Sequence, residues 1–194
     1  MCLSLVGSEM CIRDRTIWVR VENNTTNCYN TTTIELTVNE LPVLIQPTPL
    51  NLCDYINTGD EIEEFTLEDS IEQVLQGQTG INISFYETQE DADNDTNPIF
   101  SPYTNTSNAQ TIYIRGENEI TGCYSTITLD LRVNPIPSPA VPQAIEECDE
   151  DNDGFTFFTV EQNEVDIING ELDIVLSYHE TLTNAENGIE PIIS

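Results

Sequence analysis

The sequence predicts an all-β fold in which two-sheet sandwiches repeat along the chain, one complete unit flanked by two partial units. Three observations carry this. A long stretch recurs at a fixed offset. Apolar and polar residues alternate in short runs. Prolines cluster where one copy gives way to the next.

The recurrence is the strongest of these. TIWVRVENNTTNCYNTTTIELTVNELP (Thr16–Pro42) aligns with TIYIRGENEITGCYSTITLDLRVNPIP (Thr111–Pro137) at an offset of 95, with 14 of 27 positions identical. The same offset pairs Cys53 with Cys148. Two residues are then lost, and at an offset of 93 Phe65–Glu68 matches Phe158–Glu161, Ile83–Thr88 matches Leu176–Thr181, and Asn97–Ser101 matches Glu190–Ser194. Residues 16–40 therefore read as the last two strands of a preceding unit, 41–136 as a complete unit, and 137–194 as the first half of a following one. Pro42, Pro47 and Pro49, then Pro135, Pro137, Pro139 and Pro142, mark short, semi-rigid junctions. The expected parent is a long array.

Each element follows from its pattern. Ile81, Ile83 and Phe85, then Ile112 and Ile114, then Leu129, Leu131 and Val133 alternate with polar neighbours, the period of half-buried strands. Asp69–Gly77 breaks the period. Ile71, Val74 and Leu75 fall at i, i+3 and i+4, with Asp69 or Ser70 as N-cap and Gly77 as stop, so one short helix is expected there and at most one in each unit. About seven strands per unit suggest an immunoglobulin-like sandwich, without the Cys…Trp…Cys pattern of antibody domains.

Charge bounds the function. The chain carries 35 Asp and Glu against 5 Lys and Arg, a net charge of −30. Nucleic acid and anionic membrane surfaces would be repelled. No apolar run approaches the roughly 18 residues of a membrane span. No Ser, Cys or Lys sits in a nucleophile setting, and the one His, His179, aligns with a strand tyrosine, Tyr86. The segment is expected not to be an enzyme.

Cys28 and Cys123 form one repeated type, Cys53 and Cys148 the other. Owning one of each, the complete unit is expected to pair Cys53 with Cys123 in an oxidising compartment. Free thiols, or a Cys28–Cys53 bond across the junction, stay open. The spacing is not that of a zinc site. Asp149, Asp151 and Asp153, followed by Gly154, form the front half of a calcium loop, the competing reading being an acidic surface turn. Asp91, Asp93 and Asp95 form a second, weaker acidic cluster. Arg20 and Arg115 occupy equivalent outward strand positions, where a structural ion pair with a neighbouring strand acid is expected rather than a ligand clamp. Sequons at Asn23, Asn24, Asn30 and Asn105 fit exposed turns.

Three motifs carry a resemblance: Gln110–Asn118 with Gly122–Tyr124, Cys148–Phe155, and Phe85–Tyr103. Over residues 16–194 the chain resembles the tandem immunoglobulin-like repeats of large secreted surface proteins of gliding, Bacteroidetes-type bacteria. That resemblance implies an extracellular, cell-surface location, type IX secretion, and a structural or adhesive role beside neighbouring repeats. The alternative is a glycan- or ligand-binding module of an extracellular hydrolase, with Tyr86, Tyr103 and Tyr113 as its platform. The acidic turn is replaced by DYINTGD in the complete unit, and Gly116 stands where an apolar strand residue is expected. Residues 1–15 resemble a translated sequencing adapter and are expected to be non-native and to pack on nothing.

Overall fold

A hairpin opens the computed structural model, which describes residues 15–150 and 153–192. Strands β1 (Arg15–Glu22) and β2 (Tyr29–Leu36) pair antiparallel, with Ile17 opposite Ile34 and Val21 opposite Asn30. Both faces are largely open, and Trp18 is 74 % exposed. Of the stretch expected to pack on nothing, only Arg15 falls among the described residues, and it is the first residue of β1.

The stretch read as the complete unit, residues 41–136, follows. Its strands are β3 (Leu50–Cys53), β4 (Glu64–Phe65), β5 (Ile81–Tyr86), β6 (Tyr103–Thr104), β7 (Gln110–Asn118) and β8 (Tyr124–Asn134). Four of them form a sheet in the order β3-β8-β7-β5, and β4 pairs with β6. The β7–β8 register repeats that of β1–β2 pair for pair at the 95-residue offset: Ile112 faces Leu129, and Gly116 faces Ser125. Of the alternating residues named above, all but Ile81 belong to the core or pack against it. Phe65, Leu67, Val74, Ile112, Ile114, Leu129 and Leu131 are all but fully buried. Each such side chain contributes about 1.5–3 kcal/mol relative to exposure. The fold is β-rich, as expected.

The helices depart from expectation. The Asp69–Gly77 stretch does hold a helix, α1 (Ile71–Leu75), with Val74 pointing into the core. Ser70, one of the two expected residues, stands at its N-cap position, but its side chain makes no capping bond to the helix. A 3-10 turn at Leu67–Ser70 runs into it, and the Ser70 hydroxyl donates back to the Leu67 carbonyl at 2.7 Å. Gln76 and Gly77, both at positive φ, end it. A second helix, α2 (Gln89–Asn94), overturns the limit of one per unit. The Thr88 hydroxyl oxygen accepts from the Asp91 amide at 3.1 Å and donates to the Asp91 carboxylate at 2.6 Å, a capping arrangement.

Gly116 has a packing reason. A Cβ there would lie 2.5 Å from Leu44 Cδ2 and 3.2 Å from Ile81 Cγ2. The missing side chain leaves room for the junction residue Leu44 to seat against the sheet.

Chain contacts cluster into two units, the chain up to Leu52 with Glu61–Val133, and Cys53–Asp60 with the chain from Asn134 on. The later segment repeats the local structure of the complete unit. A 3-10 turn at Val160–Asn163 leads into α3 (Glu164–Ile168), and α4 (Leu182–Asn187) is capped by Thr181 as α2 is by Thr88. The Ile192 amide donates to Tyr178 O at 2.8 Å, as the Ile99 amide does to Phe85 O at 2.9 Å. Yet among the described residues no strand is built after Asn134, and Phe158, the counterpart of buried Phe65, is 53 % exposed.

Candidate functional site: cysteines and the acidic turn

Cys28 and Cys123 close two matching hairpin turns. Asn23 Oδ1 accepts from the Thr25 and Thr26 amides, and Asn118 Oδ1 from the Ile120 and Thr121 amides. The Asn23 and Asn118 amides then donate to the carbonyls of Cys28 and Cys123, both at 2.9 Å. Positive φ at Asn27 and Gly122 completes each turn, and Gly122 supplies it without a side-chain penalty. Asparagine is thus fixed at both turns by the backbone it gathers.

Cys53 ends β3, immediately before the DYINTGD turn. Asp54 is buried, and its Oδ2 accepts the Gly59 amide at 2.6 Å. Asp149 makes the same bond to the Gly154 amide at 2.8 Å, and Asp153 Oδ1 accepts the Phe155 amide at 2.9 Å. Asp151 lies outside the described residues. The bond from Asp149 is the one made by Asp54 in a turn without the DxDxDG pattern, so turn closure is its visible role. Among the described residues no group of three or more acidic, His or Cys side chains converges as a metal site would.

The second acidic cluster is spent within α2. Asp91 accepts from the hydroxyls of Thr88 and Thr96 and from the Asn97 amide, and the bonds from Thr88, Asn97 and Thr96 hold its carboxyl below the usual range. Asp93 takes the Gln89 amide, and Asp95 takes the Tyr86 hydroxyl. Burial and then Asp95 push the Tyr86 hydroxyl up. His179 stands where Tyr86 does: its ring bonds Ser177 at 2.9 Å, as the Tyr86 hydroxyl bonds Ser84 at 2.9 Å.

Several expectations need correction. Tyr86 and Tyr103 are buried, so they cannot form a stacking platform; the Tyr103 hydroxyl is engaged by Glu87 and Gln110. Asn105 is buried too, its side chain tied to Glu61, Glu63 and Ser107, and it is no exposed sequon. Arg115 does make an ion pair, but with Glu117 two residues along its own strand at 2.6 Å rather than with an acid of a neighbouring strand, and it is nearly buried. Its guanidinium donates to the carbonyls of Ala92 and Asp93 at the end of α2 and stacks on Tyr124. The unforeseen helix covers the face that alternation marked as outward. Arg20, without such cover, pairs with Glu22 in the open.

The expected Cys53–Cys123 bond does not fit this fold. The Asp54 amide donates to the carbonyl of Asn134, the last residue of β8, whereas Cys123 precedes Tyr124, its first. The 11 residues of β8 put the two cysteines at opposite ends of a strand roughly 35 Å long. A disulfide needs Cα atoms within about 7 Å. All four described cysteines are free thiols.

No curated protein matches this chain. A family model does, that of the Flavobacterium inter-domain disulphide bond domain, over residues 9–42, 49–137 and 144–194. The first of these segments reaches back into the stretch read as non-native. With most of its length matched, the chain belongs to the Flavobacterium inter-domain disulphide bond domain family.

Proposed function

We propose that the chain is a non-enzymatic structural segment of a secreted cell-surface protein, in which disulfides clasp consecutive immunoglobulin-like units. The observation that carries this is the placement of the two cysteine types at opposite ends of β8. The chain comes into the complete unit at Pro42, whose carbonyl accepts the hydroxyl of Ser125, two residues from Cys123. It leaves at Asn134, beside Cys53. Chain order therefore puts a Cys53-type thiol where one unit ends and a Cys123-type thiol where the next begins. The family description, an inter-domain disulphide, supports this pairing. A Cys28–Cys53 bond within one chain would instead join ends that chain order does not bring together. Each bond forms by exchange with a small-molecule disulfide, which takes two electrons and two protons from the thiols and leaves as two thiols. Clasped units form a stiff, acidic stalk, and repetition supplies reach and avidity for surface ligands. The resemblance to surface repeats of gliding bacteria supports the location. Burial of two of its three tyrosines leaves the glycan-platform reading without support.

The test is a tandem of two copies of residues 41–135, oxidised with glutathione disulfide and mapped by non-reducing digestion. The expected bond joins Cys53 of the first copy to Cys123 of the second, with the other two thiols alkylatable. A Cys53–Cys123 bond inside one copy would sink the proposal.

A further inference from the structure

We propose that the complete unit bears axial tension through two segments alone, residues 42–53 and β8, which lie side by side and run in the same direction. The direction is read from successive bonds. The Ser125 hydroxyl donates to the Pro42 carbonyl at 2.8 Å, the Gln46 side-chain amide to the Thr128 carbonyl at 2.6 Å, and the Asp54 amide to the Asn134 carbonyl at 2.9 Å. Both numbers rise together, so the first segment runs parallel to β8. Its last part, β3, pairs with β8 in the sheet. The preceding chain joins the first segment at Pro42, and β8 passes into the following chain at Asn134. Tension along the chain therefore draws the two segments past each other lengthwise. Their bonds are loaded together rather than one at a time, and the unit opens only when all of them give way.

The first segment is anchored for such a load. Pro47 and Pro49 have no amide hydrogen to give, so an unbroken ladder is impossible here. Side chains tie it down instead. Gln78 donates to the Val43 carbonyl at 2.7 Å, and Gln73 accepts from the Thr48 amide at 2.9 Å. Leu44, Leu50 and Leu52 pack against the core. At the exit, Asn108 holds Val133 of β8 by its amide at 2.9 Å and its carbonyl at 2.8 Å. A covalent route, which rests on the clasp proposed above, adds to this. The first segment ends at Cys53, and β8 begins one residue after Cys123. With clasps closed, each segment continues covalently into a neighbouring unit at both ends. The chain from Cys53 to Cys123, a spacing of 70, then leaves the load path, and the chain from Cys123 to Cys148, a spacing of 25, stays on it.

The experiment stretches residues 41–135 with reductant present, so that it does not depend on the clasp. Every member of the core lies between Leu44 and Val133, so this piece holds its own core. Pulled from its two termini, the unit is loaded lengthwise. With Cys123→Ser, one handle on Cys53 and the other on the chain end after Asn134, both points lie at one end of β8. The segments should then peel apart at a clearly lower force. Gln46→Ala with Ser125→Ala should raise the unfolding rate between the termini about tenfold at fixed load. Thr88→Ala removes a cap outside the loaded pair; it should leave that rate within about twofold while lowering the denaturant midpoint. Circular dichroism checks that each variant is folded. Equal forces from the two attachments, or a folded double variant that opens no faster, would overturn the proposal. Four copies in tandem read the covalent route. Reduced, each should lengthen by roughly 300 Å on opening, and oxidised, these steps should vanish. If the two attachments differ as expected and the oxidised steps persist, only the clasp fails.

Discussion

The complete unit and the segment after Asn134 use nearly the same sequence motifs and reach different ends. Phe65 is 1 % exposed and Phe158 53 %. Ile81–Tyr86 is a strand, while residues 174–179, with the same alternation, are not. The 3-10 turns, short helices, threonine caps and aspartate-closed turns are alike in both. Turns and caps are satisfied by residues a few positions away, so sequence alone builds them. A strand needs a second segment to take its amides and carbonyls, and a core needs a second layer to exclude water.

The largest expected break in this comparison is in the core. Leu129→Ala should lower the unfolding free energy of the complete unit by about 2–5 kcal/mol. Ile34→Ala, its hairpin counterpart, should change the same transition by less than about 0.5 kcal/mol, because Ile34 is exposed. Denaturant unfolding of the reduced, dilute chain reads both. Equal losses would mean that the hairpin is already buried.

Gly116→Val should cost about 1–3 kcal/mol by forcing Leu44 off the sheet. The reverse change at the matching hairpin position, Val21→Gly, should leave the main transition in place. Asp54→Ala should cost about 1–3 kcal/mol, since the Gly59 amide loses a charged acceptor in a buried setting. Asp149→Ala, in a more open turn, should cost less. Thr88→Ala should cost about 1 kcal/mol through the lost cap of α2, read as a shift in denaturant midpoint.

The smallest effect is set by pH. Burial and the bond to Asp95 raise the Tyr86 hydroxyl above its ordinary value of 10.0. The unfolded chain therefore ionises first. The stability contributed by the neutral hydroxyl is whole below pH 10 and drains as pH rises through the folded value. Tyr86→Phe should flatten the alkaline limb of a melting-temperature profile, and an unchanged limb would remove Tyr86 as its cause.

Much of the fold was legible before the structure. The two hairpins, their common register, α1 and the core residues follow from a repeat and from periods of 2 and 3.6. The second helix was also written, in Thr88 and Asp91 three residues apart, but Asp91, Asp93 and Asp95 read as an acidic cluster rather than as part of a capped turn. Arg115 was less legible. Alternation marks a face as outward and says nothing of what later covers it, and here a six-residue helix does. Tyr86, bonded to Asp95 at the end of that helix, was misplaced for the same reason, and Tyr103 because it belongs to the core.

By itself the sequence determined every feature whose partners lie nearby in the chain: the hairpin turns, the threonine caps, the aspartate-closed turns and the two cysteine types. Only the tertiary structure decided which of those features meet. It put Cys53 and Cys123 at opposite ends of β8, buried Arg115 under α2, and built strands where a partner strand was present to pair with. The physical reason is one of range. Local hydrogen bonds are fixed by spacing, whereas a disulfide, a sheet edge or a buried face depends on distances that only the assembled layers set.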